Sequence, residues 1–60
     1  MNISNEAFYA SRKYEGRVAL PIGIHEDTVV YHISEKIDGR DVVTFRNLTC
    51  TKSVFAKRYA

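Results

Sequence analysis

At 60 residues the chain has room for one small domain, residues 1–60, and not for a second core. Hydrophobic residues make up 45% of it, which excludes a disordered polar tail. Its net charge of +2 is too small to name a partner, and its one cysteine, Cys50, excludes both a disulfide-stapled secreted domain and a Cys-rich zinc site.

The first predicted element is a helix within residues 4–16. Ser4 suits the N-cap, Ile3 and Phe8 have the spacing of a hydrophobic staple, and Gly16 supplies a stop. A helix this short needs a surface to pack on. In residues 17–24, Val18, Leu20, Ile22 and Ile24 alternate with Ala19, Pro21 and Gly23, the period of a half-buried strand. The larger set is assigned to the core. Pro21 has no N–H to donate, so the strand must lie at an edge or carry a bulge.

After a polar loop at His25, Glu26 and Asp27, residues 28–36 read as the second strand, with Val29, Tyr31 and Ile33 on one face. Residues 41–48 read as the third. Asp38-Gly39 between them is a two-residue hairpin signal. A constant register from that turn would set Ile33 against Thr44, so a three-residue loop ending at a left-handed Gly39 is expected instead. It pairs Tyr31 with Phe45 and Ile33 with Val43, matching apolar faces. Thr49 or Thr51 can cap a last helix over residues 52–59, where Phe55 and Tyr59 are i,i+4 neighbours.

The expected fold is therefore α+β: a small single domain in the order α-β-β-β-α, with a three-stranded antiparallel sheet and both short helices packed on one face. Its expected core is Phe8, Val18, Leu20, Ile22, Tyr31, Ile33, Val43, Phe45 and Phe55.

The chemistry-bearing residues exclude more than they assign. His25 falls in a loop and His32 in a strand, without the spacing of metal ligands, so no metal is expected. A nucleophilic Cys50 would need a base, an orienting group and a pocket, and Gly16, Gly23 and Gly39 are too far apart for a phosphate loop. No enzyme activity, catalytic residue or cofactor is expected. The N-terminus lacks the pattern of a signal peptide and no apolar run is long enough to span a bilayer, which predicts a cytoplasmic protein without membrane contact.

Charge is unevenly spread. Residues 1–24 sum to +1 (Arg12, Lys13 and Arg17 against Glu6 and Glu15). Residues 25–41 sum to −3 (Lys36 and Arg40 against Glu26, Asp27, Glu35, Asp38 and Asp41). Residues 42–60 sum to +4 from Arg46, Lys52, Lys57 and Arg58. With Tyr59, and joined by Arg12, Lys13 and Tyr14, these last cations could contact phosphates while an aromatic stacks; the plain alternative is a solvated helix face. A second surface comes from Tyr9, Val30, Val42 and Val54, which lie off the assigned core faces and suit a protein contact or self-association. Protein–protein binding is the first expectation, with an unnamed protein or a second copy as partner. Nucleic-acid binding through Arg46, Lys52, Lys57, Arg58 and Tyr59 is the alternative.

The Met-initiated 60-residue chain, its one cysteine and its hairpin-then-basic-helix layout from Tyr31 to Tyr59 resemble the small early-region accessory proteins of temperate, lambda-type bacteriophages. The retained Met1 gives the expectation of a complete natural chain, and the resemblance implies a non-enzymatic regulatory modulator of host or phage processes in the host cytoplasm. It carries no residue roles.

Overall fold

The structure, a computed structural model, describes residues 3–59. Four antiparallel strands follow in chain order: β1 (Tyr9–Ala10), β2 (Arg17–His25), β3 (Thr28–Ile37) and β4 (Arg40–Thr51). One helix, α1 (Lys52–Arg58), closes the chain. The expected α-β-β-β-α order with three strands is thus corrected to a mostly β architecture with a single short C-terminal helix.

The missing first helix has a local cause. Ser4 Oγ accepts from the Glu6 N–H at 3.1 Å, and Ser11 Oγ accepts from the N–H groups of Lys13 and Tyr14 at 3.2 and 3.0 Å. Serine side chains that bond nearby backbone offer the chain turns in place of helical hydrogen bonds. The extended path also sets Tyr9 against Phe55, ring centroids 5.5 Å apart, and leaves Phe8 77% exposed. Phe8 is therefore not a core residue.

In β2 the core face is the one with small side chains. Ala19 and Pro21 are buried, paired with Ile33 and Tyr31, while Val18 and Leu20 are half-buried on the opposite face. Ile22 is the extra residue of a bulge between Pro21 and Gly23 and is exposed. Alternation marks two faces without saying which is covered. Small β2 residues leave room for the large rings of Tyr31, Phe55 and Tyr59. The bulge meets the requirement set by Pro21, whose place in β2 lies just beyond the end of the two-residue β1.

The β3–β4 turn is the two-residue one. Ile37 pairs with Arg40, and Asp38 and Gly39 have φ of 52° and 78°, the positive pair of a type I′ turn. The expected three-residue loop is wrong, and so are the Tyr31–Phe45 and Ile33–Val43 pairs. Faces are matched further along β4, which changes register twice. Thr44 is extra between the Ser34–Val43 and Ile33–Phe45 pairs. Arg46 and Asn47 together oppose His32, and Tyr31 then meets Leu48. Asn47 has φ of 56°, and its N–H donates to His32 Nδ1 at 3.2 Å. Each bulge does what the loop was expected to do. Gly39→Val should destabilise the fold by about 1–2 kcal/mol, since a β-branched residue is strained at positive φ; a lowered urea midpoint with unchanged slope is the expected readout.

The core consists of Ala19, Val29, Tyr31, Ile33, Phe55 and Tyr59, flanked by Ile3, Tyr9, Leu48 and Cys50. Thr51 caps α1, its Oγ1 accepting from the Val54 N–H at 3.3 Å. A helix of seven residues spans about 10 Å, whereas strands of nine to twelve residues run about 30–40 Å. One face of the sheet is therefore covered only in part, which leaves Phe45 48% exposed beside Ile33. Among the described residues no helix covers the other face. Val18, Leu20, Val30 and Val43 are half-buried there and form no closed core.

Candidate functional site

A basic cleft forms where the loop after β1 meets the end of α1. Ser11 bridges to Tyr59, the Arg12 N–H donates to the Arg58 carbonyl at 2.9 Å, and Arg12 Nε reaches the Tyr59 carbonyl at 3.5 Å. On its other side the loop is tied to β2: the Ser11 N–H donates to the Arg17 carbonyl at 2.8 Å, and the Arg17 N–H to that of Tyr14 at 3.3 Å. Between these ties lies a cleft of about 460 Å³. Among the described residues, five cations line it, Arg12, Lys13, Arg17, Lys57 and Arg58, together with Tyr14, and no carboxylate does. Segments 40 or more residues apart in sequence thus pool their charge.

The cations are not equivalent. Arg17 Nη2 lies 3.0 Å from Glu35 Oε2, and its guanidinium stands over the Tyr14 ring, 4.3 Å from the centroid. The Thr44 hydroxyl donates to Glu35 Oε1 at 2.6 Å. The Thr44 hydrogen bond and the Arg17 guanidinium hold the Glu35 carboxyl below its usual range, so the clamp on Arg17 persists until acidification protonates Glu35. Arg17–Glu35 is the one salt bridge among the described residues. Arg12, Lys13, Lys57 and Arg58 have no such partner there, although Lys13 Nζ lies 5.3 Å from the Tyr14 centroid.

Of the nucleic-acid set read from the sequence, Lys57, Arg58 and Tyr59 meet at the cleft. Arg46 is exposed on the second β4 bulge, and Lys52 starts α1, its N–H donating to the Asp27 carbonyl at 2.8 Å. Neither lines the cleft. The Tyr59 ring is buried, edge-on to Tyr31 with centroids 5.6 Å apart, so its role there is structural. Tyr14, 48% exposed, is the available ring.

The protein-binding set does not form one patch. Tyr9 packs on Phe55, Val30 lies on the uncovered sheet face, Val42 is exposed near the hairpin turn, and Val54 is half-buried on α1. Sequence reasoning missed Arg17 as a site residue. Its neighbours Tyr14 and Gly16 give no hint that Glu35 lies opposite, because that pairing belongs to the sheet register.

Cys50 sits beside the core, where burial pushes its thiol above the ordinary range and away from the reactive thiolate. Among the described residues no three His, Cys, Asp or Glu side chains gather as a metal site, and no helix is long and apolar enough to cross a membrane. Comparison with protein-family models, curated proteins and solved structures finds no match for this chain.

Proposed function

We propose that this chain is a small non-enzymatic nucleic-acid-binding protein that holds phosphates of its partner in the basic cleft. The observation that carries the reading is the convergence of Arg12 and Lys13 with Lys57 and Arg58 on one concavity that no carboxylate lines among the described residues. Four like charges held close repel one another, and a polyanion relieves that repulsion while releasing its own condensed counterions. The setting we propose is regulatory, as a modulator of host or phage processes, in keeping with the phage resemblance.

The test is fluorescence anisotropy with purified protein and a labelled single strand, titrated from about 50 to 200 mM salt. Four phosphate contacts on a single strand give a log–log slope of about −3, hence a loss of affinity of roughly 50-fold over that range. Absence of binding at the low end, or binding indifferent to salt, rules the reading out.

A protein partner is the second reading, favoured by Phe8, which stands 77% exposed beside Val18 and Leu20 at a shallow depression of about 220 Å³ on the uncovered sheet face. Contiguous exposed apolar surface of this kind marks contacts between chains. In a nuclease-treated host lysate, one protein retained by the wild type and lost with Phe8→Ser would favour it; no difference between the two would dismiss it.

A further inference from the structure

Within the reading above, and resting on it, we infer that the cleft takes an unpaired nucleotide unit, phosphate on Arg12, Lys13, Lys57 and Arg58 and base against the Tyr14–Arg17 pair. The inference comes from the division of labour among the cations. Arg17 is the poorest phosphate ligand of the five, because Glu35 already compensates its charge at 3.0 Å and Thr44 steadies Glu35 in turn. What remains is a flat guanidinium held on an aromatic ring, 4.3 Å from its centroid. Tyrosine rings and guanidinium planes are the surfaces on which unstacked bases settle.

Tyr14 is half exposed and outside the core cluster, so the fold itself does not require its ring. Lys13 lies over that ring at 5.3 Å on a flexible stem, which an incoming base displaces toward the phosphate. A charged half and a planar half side by side, in a cleft of about 460 Å³, match the two halves of a nucleotide. That volume is in the range of sites for single small molecules, about 300–1,000 Å³. In a duplex the base is paired and stacked, and only phosphates could reach the site. The preferred partner is therefore a single strand.

The experiment titrates four probes of equal length, about 12 nucleotides, within the span of known single-strand sites. They are oligothymidine, oligouridine, a fully abasic strand and a DNA duplex. The expected result is that at least one of the two base-bearing strands binds about fivefold or more tighter than the abasic strand and the duplex, as one stacked base warrants. The tighter of the two identifies DNA or RNA as the source. Tyr14→Ala should reduce that strand to the abasic level, and Tyr14→Phe should keep the gap, since phenylalanine retains the ring. Equal binding of intact and abasic strands, duplex binding as tight as single-strand binding, or a gap that survives Tyr14→Ala overturns the inference while leaving phosphate binding in place. No binding by any probe at low salt overturns both.

Discussion

Phe55→Ala is expected to destabilise the protein by about 3–5 kcal/mol, the usual cost of truncating a fully buried phenylalanine. Phe55 has no exposed surface and is the one buried residue within α1. Its ring meets Tyr9 at 5.5 Å, Tyr31 at 5.3 Å and Tyr59 at 4.8 Å between centroids, so it joins the helix to β1 and β3 at once. Truncation would leave three rings facing a void that none can fill without leaving its own contacts. Stabilities of about 0.05–0.15 kcal/mol per residue put a chain of this length at roughly 3–9 kcal/mol. Much of the population should then be unfolded. Phe45→Ala, by contrast, removes a ring that is 48% exposed and should cost only about 1 kcal/mol. Thermal melts followed by far-UV circular dichroism, with a proton–nitrogen NMR spectrum of each variant, separate the two. A dispersed spectrum and near-wild-type melt for Phe55→Ala would mean that the helix is not what closes the core.

That contrast shows what the sequence could reveal. The alternation of Val29, Tyr31 and Ile33 marks the buried face of β3 correctly, because all three are large and apolar and no bulge interrupts them. The Phe55–Tyr59 contact follows from local chemistry, and local chemistry narrows the helix cap to Thr49 or Thr51 and Pro21 to an edge or a bulge; the structure has the contact, the Thr51 cap and the bulge. Face assignment in β2 is different in kind. Val18 and Leu20 are the more hydrophobic set, yet the aromatic residues of β3 and α1 need the space above Ala19 and Pro21. No local pattern records that need. The β4 register failed for a similar reason: Asp38-Gly39 sets the turn, and the mismatch it creates is absorbed at Thr44 and Asn47, several residues away. The site was legible as a set of charges, since Arg12, Lys13, Tyr14, Lys57 and Arg58 could be grouped by type. Arg17 and the buried position of Tyr59 could not, because both depend on long-range pairing.

Replacing Arg12, Lys57 and Arg58 together with glutamine should nearly abolish nucleic-acid binding. The change removes three of the four cleft cations that lack a carboxylate partner among the described residues. For a single strand the log–log salt slope should flatten by about 2, and affinity near 50 mM salt should drop by about two to three orders of magnitude. The backbone bond that joins the loop to the helix, from the Arg12 N–H to the Arg58 carbonyl, survives substitution of either side chain. The helix loses the favourable placement of Lys57 and Arg58 in its last turn, worth about 0.3–1 kcal/mol each, which a melt will register without loss of the fold. A second triple variant, Lys36→Gln with Arg46→Gln and Lys52→Gln, carries the same change in net charge at positions outside the cleft. If the cleft is the site, this control loses clearly less affinity than the cleft variant, because cations in contact with the bound phosphates release counterion directly, whereas those outside the cleft act through screening solvent. Equal losses in the two variants would instead assign binding to overall charge, and the convergence of the loop and helix cations would have no functional consequence.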